Sequence, residues 1–428
     1  MTTLDHARTE SIPFPQKSLI TKLNMGTGMV LGIIFAEATY FWGKSMWDME
    51  EPNQLNRILI LSMFAWSIGF LIGIGAFIGP FRWLIGKDLT DEEQLFMAGK
   101  GQGISRYFRY CTDHKVVGIQ YLVGVMVMLG AGGTMAMMIR TNLISSGSKW
   151  VNSEIYNSLV GLHGITMIVA MIIVATGPFG NFILPIMIGA RDMAFPRLNA
   201  LSWWLLFTAI PVLCSAWFFG GIPTGWTAYA PLSVQAGAGM NAFIVTIIIF
   251  AISSAIAGAN ITTTVFAMRA KGMKWNRTPI FVIGATMSVA LAIPAFPTFM
   301  LSQIMAAFDR TIGTTFYDAQ HGGSGWLYAH LFWIMGHPEV YVILLPGVAI
   351  LMEVAPVFVR KPLFSFNAAI LGFAGITGLS ILVWAHHMYA TGWMPSLNGP
   401  FMVTTEMISV PTGLLRSEEH TSELQSRV

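Results

Sequence analysis

The sequence predicts an all-α fold, a polytopic bundle of about ten transmembrane helices, from its composition, its apolar runs and its loop charges. The 428-residue chain is 54% hydrophobic and 11% charged, whereas a soluble domain carries roughly 25% charged residues. Each apolar run is long enough to cross a ~30 Å hydrocarbon core at about 1.5 Å per residue. The predicted spans are residues 24–46, 57–86, 115–141, 157–188, 199–220, 240–268, 278–307, 326–355, 364–391 and 399–415.

The basic residues of the loops alternate between the two sides of the predicted membrane. Lysines and arginines precede the first span and follow the second, fourth, sixth and eighth, whereas the other loops hold few of them. In polytopic proteins the cytoplasmic loops carry the excess of basic residues. We therefore expect the N-terminus and the loop 87–114 to be cytoplasmic.

Other kinds of site and partner find little support. Cys111 and Cys214 are the only cysteines and lack C-x-x-C spacing, so neither a disulfide framework nor a thiolate metal site is indicated. The net charge is only +3 and no basic patch stands out, so no nucleic-acid partner is expected. The lipid bilayer is the partner that the composition implies.

Polar residues stand inside the eighth span, where burial in lipid is costly. The stretch 337–341 reads His-Pro-Glu-Val-Tyr, and ionisable groups at membrane depth indicate a functional site. His337 and Tyr341 are four residues apart and therefore share one helix face. The next span ends in His386 and His387, and three imidazoles on neighbouring helices suit copper better than a hard cation. The alternative for any single histidine is a hydrogen bond across helices.

A fourth histidine lies at a depth in the predicted membrane similar to that of the other three. His163 lies about six residues from the outer end of its span, and His386 and His387 lie about five from theirs. With His337 about eleven residues in, all four fall in the outer half of the membrane at about 1.5 Å per residue. The sequence therefore predicts one layer of metal sites toward the outside.

Several motifs resemble those of haem–copper oxidase subunit I, the catalytic subunit of respiratory terminal oxidases. The most specific are His-Pro-Glu-Val-Tyr at 337–341 and Trp-Ala-His-His-Met at 384–388. The others lie between about Tyr110 and Gly413, and they are Asp113-His-Lys115, Ile139-Arg140, Leu162-His163-Gly164, Gly180-Asn181, Ile188 to Arg197, Gly225-Trp226 and Pro411-Thr-Gly413.

The resemblance implies a domain organisation. Residues 1–110 would be an N-terminal extension with two transmembrane helices and a cytoplasmic loop, and residues 111–415 an incomplete subunit I core with the first eight helices of that fold. From Arg416 the sequence turns abruptly polar and matches the translation of a common sequencing adapter as far as Ser426. We therefore expect residues 416–428 to be an artefactual tail on a C-terminally truncated chain, inactive as sequenced.

The resemblance also implies a function. The enzyme would be a cytochrome c oxidase-type oxidoreductase and translocase of the cell inner (plasma) membrane, reducing O2 to water and coupling this to proton translocation. Its cofactors would be two haems, low-spin and high-spin, and copper B. Its partners would be oxidase subunits II and III, with cytochrome c as electron donor. The alternatives are a nitric oxide reductase-like member of the same superfamily and a proton-coupled membrane transporter.

Site residues follow from the same resemblance. His163 would ligate the low-spin haem iron, and copper B would be held by His337, His386 and His387. Tyr341 would be joined covalently to His337 and would supply an electron and a proton for O–O cleavage. Arg140 and Trp226 would contact haem. A proton path from the cytoplasm to Glu339 would be lined by Asp192, Asn181, Asn199, Ser253 and Ser254.

The chain departs from the family pattern in several places. The remaining haem ligands are expected beyond residue 415. Met352 and Leu415 stand where a second proton path should have a serine and a lysine, and we hypothesise that Glu353 opens an altered path toward Tyr341. The acid and base typical of quinol oxidases are replaced by Ala131 and Met135, which favours cytochrome c as donor.

Overall fold

The computed structural model describes residues 18–51, 53–147, 150–392 and 395–424, with side chains as far as Arg416. Every regular element in this part of the chain is a helix, which confirms the predicted all-α fold. The principal helices are α1 (Met25–Met46), α2 (Gln54–Ile74), α3 (Ile78–Leu84), α4 (Asp91–Met97), α5 (His114–Asn142), α6 (Ser153–Val174), α7 (Pro196–Ser215), α8 (Gly239–Ala267), α9 (Ile280–Thr311), α10 (Gly325–Val359), α11 (Phe366–Ser380), α12 (Pro395–Met407) and α13 (Ser409–Leu424).

Within the described residues, nine helical segments are long and apolar enough to cross a membrane. They correspond to the first nine predicted spans, and the chain is an integral membrane protein. Residues 1–17 of the predicted extension and 425–428 of the predicted tail lie outside the described part.

Polar side chains begin several of these helices. Asn24 Oδ1 accepts hydrogen bonds from the backbone N–H groups of Gly26 and Thr27 at the start of α1. Asp113 accepts from the N–H of Lys115 at the start of α5, and Asn152 caps α6 in the same way. Each cap satisfies N–H groups that have no partner within the helix.

Two predicted spans differ from the structure. The second was expected to run to residue 86, but α2 ends at Ile74 because Gly75 adopts a left-handed conformation, φ +92°, which glycine reaches without steric cost. The tenth, 399–415, is divided between α12 and α13. Pro411 lacks an N–H for the carbonyl of Met407 and its ring clashes there, so the helix breaks at that point.

The extension packs on the remainder of the bundle through α2. Glycines allow α1 and α2 to approach closely: a Cβ at Gly73 would lie 2.5 Å from the carbonyl oxygen of Thr27. At the far end of α2, Arg57 donates to the carbonyl of Thr311 at 2.8 Å. Its neighbour Asn56 accepts from the buried guanidinium of Arg310 at 3.1 Å. These bonds fix the extension beside α7, α8 and α9.

Candidate metal centre

Helix α10 carries the first part of the site. Trp333, His337 and Tyr341 are spaced by four residues and share one face of the helix. His386 and His387 lie on the 3-10 helix Trp384–Thr391, which follows α11. Successive residues of a 3-10 helix are about 120° apart, so two adjacent histidines can line one site from different directions.

The three histidines converge as the sequence analysis expects of a copper site. Their ligand nitrogens all lie within 4.8 Å of one another, and His337 Nδ1 is 3.3 Å from His387 Nε2. Two nitrogens bound to one metal at 2.0–2.1 Å each would be about 3.5 Å apart in a trigonal arrangement. The nitrogen donor set and its spacing therefore fit a copper ion. The assignment of copper B to this site stays a prediction.

The hydrogen bonds of the histidine rings leave other ring nitrogens available for a metal ion or a covalent bond. His386 Nδ1 lies 3.0 Å from Thr405 Oγ1, which orients the ring and leaves Nε2 toward the cluster, as in many metal sites. His337 Nε2 is buried without a hydrogen-bond partner. The Tyr341 ring lies 4.8 Å from the His337 ring, centroid to centroid. The predicted covalent bond would use this unpartnered nitrogen.

Two aromatic residues missed by the sequence analysis support the site. The Trp333 ring stacks on His387 at 3.7 Å with an interplanar angle of 2°. Its indole N–H donates to the hydroxyl of Tyr229. The position of Trp333, four residues before His337, was a usable signal because it places both on one face. The contact with Tyr229 depends on the loop before α8 and could not be read from spacing.

Glu339 is 4% exposed and faces away from the histidines, as its position two residues after His337 requires. It lines a narrow apolar cavity of about 10 Å³ with Trp226, Phe250 and Phe296. A water molecule needs roughly 10–15 Å³ of such volume. The cavity beside Glu339 is therefore at the limit for one water.

A larger and more polar cavity of about 40 Å³ lies next to it, with Ile172 and Phe296 in the walls of both. Three residues of the predicted proton path line it: Asn181, Ser253 and Ser254. Asn181 Oδ1 is buried without a partner in the protein, and such an atom normally bonds ordered water. The cavity has room for about three waters at roughly 10–15 Å³ each.

The other two residues of the predicted proton path lie at or just before the start of α7. Asp192 is partly buried in the loop between α6 and α7, and burial raises its pKa above the usual value. His114, which faces it, is 2.7 Å through Nδ1 from the carbonyl of Asn181. Asn199 is buried, and its amide nitrogen has no partner in the protein. His114 thus links Asp192 in the loop to Asn181 in the wall of the polar cavity.

His163 is partly buried on α6, and its Nδ1 lies 2.9 Å from the carbonyl of Gly132 on α5. This bond leaves Nε2 for a haem iron. A Cβ at Gly133 would meet no atom within 4 Å, so there is room beside α5 at this level for a bulky planar group. Trp226 packs against Gly164, the next residue to His163. Arg140 is exposed near the end of α5.

Glu353 has a partner that the sequence did not suggest. Its Oε2 accepts a hydrogen bond of 3.1 Å from the backbone N–H of Phe281, in the first turn of α9. The neighbouring Met352 is buried, and Leu415 packs against Gly372 of α11. Glu353 thus caps a helix, whatever part it has in proton transfer.

Comparisons with known proteins identify the family of the chain. The family model of "Cytochrome C and Quinol oxidase polypeptide I" matches residues 116–423. The chain therefore belongs to the haem–copper oxidase subunit I family. This confirms the resemblance seen in the motifs.

Named relatives include both kinds of oxidase. Cytochrome c oxidase subunit 1 of Thermostichus vulcanus is 39% identical over 310 residues, 72% of this chain and 56% of the relative. The corresponding protein of Bacillus subtilis is 40% identical over 305 residues, 71% of this chain and 49% of the relative. A probable quinol oxidase subunit 1 of Staphylococcus haemolyticus is 37% identical over 306 residues, 71% of this chain and 46% of the relative. The chain spans about half the length of these curated relatives.

Proposed function

We propose that the chain is the catalytic subunit of a respiratory terminal oxidase that reduces O2 to water and couples this reaction to proton translocation. The observation that carries the proposal is the convergence of the His337, His386 and His387 nitrogens within 4.8 Å of one another. It occurs beside a phenol and a buried acid on the same helix. A proton relay in a transporter would not require three imidazoles around one point.

The cofactors of the proposed enzyme are two haems and copper B. The three histidines of the cluster would hold copper, and His163 would supply one axial ligand of the low-spin haem, with Trp226 and Arg140 near its edge. Together the metals would supply electrons for O2 reduction. The remaining steps, proton delivery and orientation of the reacting groups, fall to side chains of this chain.

Tyr341 would provide a proton and an electron from its phenol next to the bound O2. A bond between His337 Nε2 and a ring carbon of Tyr341 would hold the phenol in place. Its formation would remove the N–H and C–H hydrogens and two electrons, which O2, the substrate of the proposed reaction, would accept. The buried, unpartnered Nε2 and the neighbouring ring support this assignment. Peptide mass spectrometry tests it, since the cross-linked segment would be two hydrogen atoms lighter than the unlinked one.

Glu339 would receive protons through the polar cavity and pass them toward the metal centre. Asp192 would collect them at the cytoplasmic opening, and Asn181, Asn199, Ser253 and Ser254 would order the intervening waters. Support comes from the two adjoining cavities and from the unpartnered amide atoms of both asparagines. The side chains of Ile172 and Phe296 would separate the polar cavity from the smaller cavity in which Glu339 receives the proton.

The donor that we propose is cytochrome c, because Ala131 and Met135 replace the acid and base expected of a quinol oxidase. Oxidase subunits II and III are the proposed partners. The complex would lie in the cell inner membrane with its N-terminus cytoplasmic, as the loop charges require. Residues 1–110 would then be an added two-helix unit beside the oxidase core that begins at about residue 111.

A reduced-minus-oxidised spectrum of the full-length subunit, assembled with its partner subunits, tests the proposal. We expect bands of two haems, copper in the metal analysis, and O2 uptake with reduced cytochrome c. A preparation without haem bands would contradict the oxidase and favour a transporter. Uptake supported by a quinol but not by cytochrome c would overturn the proposed donor alone.

A further inference from the structure

Arg310, in the last turn of α9, is buried without an acidic partner. It is 2% exposed, and within the described part of the chain no carboxylate lies within ion-pair distance of it. Neutral oxygens surround the guanidinium instead, and a buried charge is costly unless its donors are bonded in this way. The acceptors are Asn241 Oδ1, Asn56 Oδ1 and the carbonyl oxygens of Ser233, Val234, Ala236 and Gly237.

Asn56 of α2 joins the N-terminal extension to this cluster of bonds. Its Oδ1 accepts from Arg310 Nη2 at 3.1 Å and from Asn241 Nδ2 at 2.9 Å. Nη2 carries two hydrogen atoms and has one other acceptor, the carbonyl of Gly237 at 2.9 Å. Without Asn56, a buried charged donor would be left unsatisfied, which costs more than a lost neutral bond. The extension thus completes the set of bonds that holds Arg310 in place.

Arg310 in turn fixes the segment that precedes α8. The four carbonyls that it binds lie between Ser233 and Gly237, at the end of the single helical turn Leu232–Gln235. A cationic side chain is suited to the carbonyls at the end of a helical turn. The backbone N–H of Ser233 donates to the carbonyl of Tyr229 at 3.0 Å. The position of Tyr229 therefore depends on the bonds of Arg310.

Tyr229 supports an aromatic ring of the metal centre. Its ring stands edge-on to Trp333, with the centroids 6.4 Å apart and an interplanar angle of 86°, which is a favourable geometry for an aromatic pair. Trp333 stacks on His387. The edge contact holds the indole in addition to its N–H bond. A continuous series of contacts therefore connects Asn56 with a histidine of the cluster.

We propose that Asn56 is a positioning residue of the metal centre. It holds Arg310, which fixes the turn next to Tyr229, and Tyr229 keeps the Trp333 ring against His387. The inference rests on the copper site of the proposed function and gives the two added helices a part in it.

The test is copper titration of the copper-depleted full-length oxidase, assembled with its partner subunits. Asn56→Leu keeps a side chain of similar size but offers no acceptor to Arg310. We expect the copper affinity to fall about two- to fivefold, within the roughly two- to tenfold that an aromatic stack contributes. Asn56→Asp keeps an acceptor oxygen and should bind copper like wild type.

Unchanged haem spectra verify that each variant is folded. If Asn56→Leu does not assemble, Asn56→Ala removes the same acceptor without adding bulk and should lower the affinity in the same direction.

A double-variant cycle tests the route through the stacked ring. In a Trp333→Ala background, Asn56→Leu should cause no further loss of copper affinity, because groups that act through one another are not additive. Two losses that multiply in the double variant would mean that Asn56 acts independently of Trp333, which overturns the proposal.

Arg57→Met is the matched control. Arg57 docks the same end of the extension by donating to the carbonyl of Thr311, and its replacement leaves Arg310 and the acceptors around it in place. This variant should bind copper like wild type. An equal loss in Arg57→Met would assign the effect to docking of the whole extension and overturn the role of Asn56.

The results also distinguish this inference from the proposed function. Wild-type affinity in Asn56→Leu, with a loss in His387→Ala, would overturn the role of Asn56 and leave the copper site in place. Full affinity in His387→Ala would remove the copper site itself, and this inference with it.

Discussion

His337 Nδ1 and His387 Nε2 lie 3.3 Å apart, on two different helices. A ligand nitrogen of His386 lies within 4.8 Å of both, so a shared metal explains the three imidazoles better than a single hydrogen bond does. We expect His387→Ala to lower copper affinity by at least the ~10–100-fold seen when outer supports of metal ligands are lost. Metal analysis per haem measures this.

The control for that experiment is His321→Ala. His321 is exposed and pairs with Asp318 at 2.6 Å in the loop before α10, so its loss should leave the copper content at the wild-type level. Full copper in His387→Ala would remove this histidine from the metal site.

Much of this site could be predicted from the sequence, because its residues are close together in the chain. His337 and Tyr341 share a face by helical periodicity, and the pair His386-His387 needed only one helix–helix contact to meet them. Glu339 was identified as a buried acid for the same reason. These predictions followed from the spacing of the residues along the chain.

What the sequence could not provide depends on contacts between distant segments. The hydrogen bond from Phe281 N–H to Glu353 depends on where α9 begins relative to the end of α10. The bond from Trp333 to Tyr229 depends on a loop. The early end of α2 reflects the conformation of one glycine, Gly75.

A second prediction concerns the ring stacked on His387. Trp333→Ala removes the stack, and an aromatic pair is worth about 0.5–1.5 kcal/mol. Copper affinity should therefore fall roughly two- to tenfold. Trp333→Phe retains an aromatic face and loses only the N–H that donates to Tyr229, so it should bind copper nearly as well as wild type. Copper titration of both variants makes the comparison, and equal loss in both would assign the effect to the hydrogen bond.

The third prediction tests proton delivery. Glu339→Gln keeps the shape of the side chain but cannot carry a proton, and general acid–base groups contribute typically ~10²–10⁴-fold. In the full-length oxidase, O2 uptake should fall by at least about a hundredfold. The haem and copper contents should be unchanged because Glu339 faces away from the histidines. Glu406→Gln, at an exposed position of α12, should retain wild-type turnover. Normal turnover in Glu339→Gln would exclude this acid from the path.

The fourth prediction concerns pH and the loop segment 78–112. Burial alone would raise the pKa of Glu93, but hydrogen bonds from Ser18 and the Thr90 N–H, with the bonds and charge of Arg82, hold it below its usual value. An acid whose pKa is lowered on folding stabilises the folded state at pH values above its unfolded pKa of about 4.3. This contribution is lost as the pH falls through the lowered pKa of the folded state. We expect the protection factors of the amides in this segment, which correct for the intrinsic pH dependence of exchange, to be high near pH 7 and to fall below about pH 4.

Glu93→Gln should raise exchange in the same segment already at neutral pH, since loss of a charged hydrogen-bond partner costs about 1–3 kcal/mol. Glu92→Gln serves as the control because Glu92 is exposed. Protection factors that stay high at acid pH in wild type would show that the ionised carboxylate does not stabilise this segment.

The last prediction separates two functions of Glu353. Its carboxylate accepts from the Phe281 N–H, and a glutamine oxygen can accept the same bond, so Glu353→Gln keeps the helix cap and removes only the titratable proton. If Glu353 opens the altered proton path toward Tyr341, reduction of the haem–copper centre should slow in this variant while copper content and stability stay unchanged. Stopped-flow reduction measures the rate. Glu353→Ala removes the cap as well and should lose about 0.5–2 kcal/mol of stability. A wild-type reduction rate in Glu353→Gln, together with a loss of stability only in Glu353→Ala, would show that Glu353 is a structural cap. The two variants differ only in whether the cap is kept.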